Sequence, residues 1–145
     1  MYTVDASVHL SALNPYEPES VASQAFLDLV RQRQIPLYCP TLLLVEVAAA
    51  IARIMDDPSR AVALAATLRG LSNQTLVPLD GALAGVAIDL AAKSRLRGAD
   101  AVYAAVARQY GTTLITLDRQ RLERLPSTVK TARPTEVLDG RESSS

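Results

Sequence analysis

Aromatic residues are scarce: one Phe, five Tyr and no Trp among 145 residues. That argues against RRM- or OB-type modules, which stack bases on aromatic platforms. The core must be built from Ala, Leu, Val and Ile, which suits close helix packing. Cysteine is nearly absent. Cys39 stands alone in the apolar run Leu37–Tyr38–Cys39, so it has no partner for an internal disulfide or a thiolate zinc site. It is expected to be a small buried hydrophobe. His9 is the only histidine, which removes a His-based zinc site and any two-histidine acid–base scheme. Lysine occurs only as Lys93 and Lys130, and no GxxxxGK[ST] phosphate loop is present. No basic, long apolar leader precedes the first acid. The most apolar stretch, Leu42–Met55, carries Glu46 and Arg53 and is too short to span a bilayer. A cytoplasmic protein without membrane association is the expectation.

Formal net charge is zero, so the total announces no nucleic-acid partner. Its distribution is uneven. Lys93 to Arg133 holds nine Lys/Arg and three Asp/Glu, or 9 − 3 = +6, whereas residues 1–72 hold five basic and seven acidic residues, or 5 − 7 = −2. If four of the 15 acids are held by metal, the remaining charge is 15 − 11 = +4. An anionic substrate is compatible with that excess, and so is a set of solvated helix faces.

The punctuation of the chain predicts strands separated by helices. Strands are expected at Tyr2–Val4, Leu37–Cys39, Thr75–Leu79, Thr113–Leu117 and, weakly, Thr128–Thr131. Helices are expected from a cap at Ser7 to Asn14–Pro15, over Glu19–Gln34 with Val21, Ala25, Phe26, Leu29 and Val30 on one side, from Thr41 through Met55, and over Ser59–Leu71. Further helices follow Asp80 to about Ser94, a loop over Arg95–Ala99, then Asp100–Tyr110 closed by Gly111, and Arg119–Leu125. This order predicts an α/β fold with four or five parallel strands covered by helices on both faces. One domain over residues 1–138 accounts for the chain, with 139–145 as a frayed tail. Ligands in such sheets sit outside the carboxyl ends of the strands.

Four acids stand out against this framework. Glu46 lies in a helix that is apolar nearly all round, so burial is expected. A lone buried carboxylate needs a metal or a counter-charge, and Arg53 is the local alternative. Asp5 and Asp118 directly follow the strands at Tyr2–Val4 and Leu114–Leu117. Parallel strands put both on one sheet edge, although either acid could simply cap the following helix. Asp100 opens a helix, where an acid also suits the dipole. Asp80 fits a cap and nothing more. Taken together, all-oxygen ligands select Mg²⁺ or Mn²⁺ over zinc or copper.

These residues carry a family resemblance. Thr3-Val4-Asp5-Ala6-Ser7 is similar to the opening of a PIN domain, and Leu44-Val45-Glu46-Val47 resembles its central-helix acid. Leu96-Arg97-Gly98-Ala99-Asp100-Ala101-Val102-Tyr103-Ala104-Ala105-Val106-Ala107 resembles its most recognisable stretch, and Leu114-Ile115-Thr116-Leu117-Asp118 its final strand and acid. Order and spacing agree over residues 1–131. Size and texture most resemble the toxin half of VapBC-type toxin–antitoxin modules.

The resemblance implies a PIN-like three-layer α/β/α sandwich and Mg²⁺- or Mn²⁺-dependent endoribonuclease activity. It places the acidic site at Asp5, Glu46, Asp100 and Asp118, with Ser7 and Thr116 as neighbouring hydroxyls. It also implies RNA as substrate, a cognate antitoxin and a homodimer. Asp5 and Asp100 are expected to bind the principal metal, with Glu46 and Asp118 completing the site. Arg95, Arg97, Arg119 and Arg121 are candidates for contacts to the RNA backbone. The family also holds RNA-processing nucleases and catalytically silent binding domains. Two other doubly wound folds fit less well. A signalling receiver needs an early acid pair, a mid-chain phospho-acceptor Asp and a late strand-end Lys. A haloacid-dehalogenase-type phosphatase needs Asp-x-Asp where this chain has Asp5-Ala6-Ser7.

Overall fold

The computed structural model describes residues 1–140, without the side chains of 119–121. Its centre is five short strands: β1 (Tyr2–Val4), β2 (Leu37–Pro40), β3 (Gln74–Val77), β4 (Thr113–Ile115) and β5 (Thr131–Ala132). They pair in parallel in the order β3-β2-β1-β4-β5. From β1 the chain steps outward to β2 and β3, then returns to the other side of β1 for β4 and β5. The β1/β4 boundary is therefore the topological switch point of the sheet, the place where open α/β sheets bind their ligands.

The connections are helical. α1 (Ala6–Leu13) and α2 (Ser20–Gln32) join β1 to β2, and α3 (Leu42–Met55) and α4 (Pro58–Arg69) join β2 to β3. α5 (Gly81–Ser94) and α6 (Gly98–Tyr110) lead back to β4, and α7 (Arg119–Arg124) leads to β5. α1 packs on α2 and α3, α3 on α4, and α5 on α6, while α6 lies against β1, β2 and β4. With right-handed crossovers, this is the expected three-layer α/β/α sandwich. Its core is aliphatic, with Val4, Val8, Leu37, Leu43, Val47, Leu114 and Ile115 all buried around Phe26 and Tyr103. Among the described residues no helix is long and apolar enough to cross a membrane.

Several local expectations are corrected. The cap of α1 is Asp5, whose carboxylate accepts from Ser7 N; the Ser7 side chain is used elsewhere. α2 buries Ser20, Ser23, Phe26 and Val30 and leaves Val21 and Ala25 exposed, because its docking on α1 and α8 selects that face. Thr41 precedes α3 but makes no side-chain cap bond. α4 begins at Pro58, capped by Asp57, since proline at the first helical position needs no N–H partner. β3 is an edge strand in which only Val77 is buried, so it is not the buried strand its apolar run suggested. α6 already starts at Gly98, within the expected loop, and Gly111 closes it at φ +65°. α3 is not enclosed: Val45 is 64% and Ile54 73% exposed. A short α8 (Pro134–Leu138), unforeseen in the sequence, packs on α2, so ordered structure reaches Leu138. Asp139 is the cap residue that ends α8; the rest of the expected frayed tail beyond Gly140 lies outside the described residues.

Candidate functional site

In a parallel sheet each strand exit lies on one edge, and a helix that follows a strand starts there. A helix that runs directly back into the next strand, as α6 runs into β4, also starts at that edge. Asp5 is the exit of β1, Asp118 lies just past β4, Glu46 is in the first turns of α3, and Asp100 is in the first turn of α6. The topology therefore brings all four acids to the carboxyl edge of the sheet, and Asp5 and Asp118 flank the switch point. As they lie, they do not form a closed ligand cage: among the described residues no group of three or more His, Cys, Asp or Glu side chains is close enough to hold an ion.

Asp5 is 0% exposed. Its Oδ1 accepts from Ser7 N at 3.0 Å and from the Ser7 hydroxyl. The same Ser7 Oγ accepts from Leu117 N at 3.2 Å, and Asp5 N donates to Ile115 O at 3.2 Å. One side chain thus ties the exit of β1 to the exit of β4 across 110 residues of sequence. Thr116 is buried, and its Oγ1 accepts from Asp118 N at 3.1 Å, shaping the turn that carries Asp118. Both expected hydroxyls therefore touch the backbone or side chain of an acid.

Glu46 is half-buried, and its Oε1 is buried with no hydrogen-bond partner. Arg53 is exposed, and the described ion pairs do not join it to Glu46. The group that senses the Glu46 charge is Tyr103, which in the sequence stands only as one residue of the stretch Leu96–Ala107. Burial raises the Tyr103 pKa first, and the Glu46 carboxylate adds to that, followed by the charges of Asp5 and Cys39. Spacing held a signal, because Tyr103 is three residues after Asp100 and shares its side of the helix.

Cys39 is buried as expected. Its thiol faces Val4 O at 3.7 Å, and burial pushes its pKa up to about 12, the Asp5 charge adding to the rise. It is an inert thiol beneath the site. His9 lies on α1 away from the acids, in the lining of a separate cavity with Leu27, Val30 and Leu37. Burial lowers its pKa to about 4.

Arg95 and Arg97 are exposed on the turn leading to Asp100. Arg124 Nη1 donates to Arg95 O at 3.3 Å, a link between α7 and that turn which the sequence did not suggest. Arg119 and Arg121 stand on α7, but their side chains lie outside the described residues. Beside Ser7 and Asp118 runs a groove of about 770 Å³, walled by Leu10 and Leu13 of α1 and Ile51 and Ile54 of α3.

The PIN domain model matches residues 2–127. No curated protein matches. Solved structures similar to this chain include Mycobacterium tuberculosis VapC20, described as a sarcin-ricin loop cleaving toxin, at 16% identity and TM-score 0.73, covering 90% of this chain and 99% of that one. FitAcB from Neisseria gonorrhoeae aligns at 20% identity and TM-score 0.71, covering 93% and 99%. A toxin–antitoxin complex from Klebsiella pneumoniae aligns at 16% identity and TM-score 0.66, covering 92% and 98%. At these identities the structural likeness speaks for the fold.

Proposed function

Because the chain belongs to the PIN-domain family, we propose that it is a Mg²⁺- or Mn²⁺-dependent endoribonuclease that hydrolyses RNA phosphodiester bonds at the carboxyl edge of its sheet. The observation that carries the reading is the pairing of Asp5 and Asp118 on either side of the switch point, held in register by Ser7 Oγ. A divalent ion suits the donor set, since Glu46 Oε1 is a buried oxygen lacking a protein donor and hard carboxylates favour Mg²⁺ or Mn²⁺. Asp5, Asp100, Glu46 and Asp118 would hold it; when bound, the ion supplies charge neutralisation at the scissile phosphate and an acidified water.

The chain's own residues do the positioning. Ser7 donates to Asp5 and fixes its rotamer, Thr116 sets the Asp118 turn, and the N-terminus of α6 favours the Asp100 charge. Arg95 and Arg97, with Arg119 and Arg121 as further candidates, would contact the RNA backbone, which adds affinity without sequence choice. Purified protein should cut mixed RNA with Mg²⁺ or Mn²⁺, stop with EDTA, and leave 5′-phosphate and 3′-hydroxyl ends. Products ending in 2′,3′-cyclic phosphate would overturn hydrolysis by water.

The biological setting we infer is a cytoplasmic toxin neutralised by a cognate antitoxin. The groove beside Asp118 supports this: apolar Leu13 and Ile54 stay exposed along it, as a surface awaiting a protein segment would. Growth arrest on expression, relieved by co-expressing an adjacent antitoxin, is the expected result. RNA cleavage without arrest would mark an RNA-processing nuclease, and binding without cleavage a silent PIN domain. A two-fold homodimer fits the exposed Val45 and Val62 on α3 and α4, outside that groove; light scattering showing only monomer at micromolar concentration would exclude it.

A further inference from the structure

His9 is 6% exposed, and its Nε2 is buried with no hydrogen-bond partner among the described residues. Leaving a buried polar atom unpaired is costly, so a protein that keeps one beside an open space invites an occupant. His9 lines such a space, a cavity of about 150 Å³ walled by Leu27 and Val30 of α2, Leu37 of β2 and Leu68 of α4. Leu37 opens β2, and Asn73, which also lines the cavity, immediately precedes β3. The cavity therefore sits toward the amino edge of the sheet, opposite the four acids. Asn73 Nδ2 is committed to Ile35 O at 2.8 Å. Where the lining reaches solvent, the exposed Asp28 and Arg31 pair with each other at 3.1 Å, so the opening presents no unmatched charge.

Water is a poor occupant. A buried water makes about three hydrogen bonds, and aliphatic walls with a committed amide leave it little beyond His9 Nε2. Cavities of about 150 Å³ with apolar walls take up benzene-sized molecules instead. We propose that this cavity is a binding site for a small uncharged aromatic molecule carrying one hydroxyl, a phenol in chemical class, with its ring against Leu27, Val30 and Leu37 and its hydroxyl on His9 Nε2. The site is separate from the acidic edge and does not depend on the nuclease reading. A hydroxyl both donates and accepts, so it meets Nε2 in either neutral tautomer. A charged ligand is disfavoured, because burial lowers the His9 pKa to about 4 and the neutral ring offers no counter-charge.

Titration of the full chain with phenol and, separately, with benzene, followed by NMR, tests this. In wild type, phenol should give saturable shifts at the His9 ring and at the Leu27, Val30 and Leu37 methyls, and should bind about 10-fold more tightly than benzene, the worth of one hydrogen bond to a buried atom. His9→Leu should bind the two equally. Leu68→Phe, which puts a ring into the cavity, should weaken both by about 10-fold or more. No saturable shift at millimolar phenol, or shifts confined to residues outside the cavity, overturns the site. Equal affinities for phenol and benzene in wild type, or a phenol preference that persists in His9→Leu, overturns the recognition by His9 and the proposal with it. If His9→Leu does not fold, the wild-type imidazole nitrogen signals decide alone: a hydroxyl on Nε2 moves that resonance, and an unmoved resonance overturns the assignment.

Discussion

The exits of β1 and β3 are built from the same local chemistry and end up in different places. Each has an apolar strand, then an aspartate whose carboxylate caps the next helix: Asp5 accepts from Ser7 N, and Asp80 from Leu83 N at 2.9 Å. β1 is the middle strand at the switch point and β3 is an edge. Asp5 is consequently fully buried, gains the Ser7 hydroxyl as a second donor and looks across at Asp118, whereas Asp80 is exposed with its single cap bond. What separates a candidate ligand from a helix cap is the rank of its strand in the sheet, which no local window of sequence contains.

The largest expected contrast is in cleavage. Asp5→Asn keeps an oxygen that can accept from Ser7 N, so the cap survives, because Asn caps about as well as Asp. It removes the charge. If that charge is worth several kcal/mol at the reacting phosphate, cleavage falls about 10³-fold. The same change at Asp80 should leave the rate unaltered. Single-turnover cleavage rates for Asp5→Asn and Asp80→Asn check this; equal rates in both would erase the distinction.

A second contrast lies within α1, where Asp5 is buried with donors and His9 is buried, at 6% exposure, with no partner for Nε2. The His9 pKa is lowered to about 4 by burial, from 6.5. The unfolded chain therefore takes up the proton first. The stability contributed by neutral His9 is fully present above pH 6.5 and is lost as pH falls toward 4. From pH 7 to 5 this amounts to about 2 kcal/mol. Asp28 and Arg31 of α2, which line the same cavity, pair with each other at 3.1 Å. Urea midpoints for wild type should fall over that interval, while His9→Leu should give a flatter profile. Parallel profiles would show that His9 is not the titrating group.

The approximate positions of β1 to β4, and the place of Asp5 and Asp118 just past strand exits, were legible because short apolar runs end in punctuation: Val4 in Asp5, Cys39 in Pro40, Leu117 in Asp118; the weak strand expected at Thr128–Thr131 instead begins only at Thr131. What was illegible depended on partners distant in sequence. The periodicity of α2 fits two faces, and only docking on α1 and α8 selects the one with Ser23 and Phe26. The run Leu42–Met55 read as a helix buried all round, yet Val45 and Ile54 face outward; apolar composition marks a surface for burial without saying against what. Glu46 read as a metal or active-site acid with Arg53 as the alternative partner, and the choice turned on where two turns of α3 face. Tyr103 was hidden because an aromatic in an alanine-rich helix reads as core.

Ser7 links the two strand exits, so its loss should be moderate. Ser7→Ala deletes the donor to Asp5 and the acceptor for Leu117 N but leaves the backbone cap bond. A cost of about 1–2 kcal/mol is expected, with cleavage impaired but above the Asp5→Asn level. Denaturation and cleavage measured together would expose the alternative, full activity at reduced stability, in which Ser7 serves the fold alone.

The smallest effect belongs to the edge. Asp80→Ala removes the acceptor for Leu83 N, the third N–H of α5, and water can take over because the site is exposed. Caps of this kind contribute about 1 kcal/mol, which for a domain of this size lowers the melting temperature by about 3 °C. Leu83 itself is buried and anchors α5, so the helix should shift at its first turn and no further. Asp80→Asn should restore the melting temperature by restoring the cap. Neither variant should change Mn²⁺ affinity, since β3 is two strands away from β1 in the sheet. If Asp80→Ala weakened Mn²⁺ binding and Asp80→Asn rescued it, the edge strand would be mechanically coupled to the switch point, and strand rank would not suffice to tell a cap from a ligand.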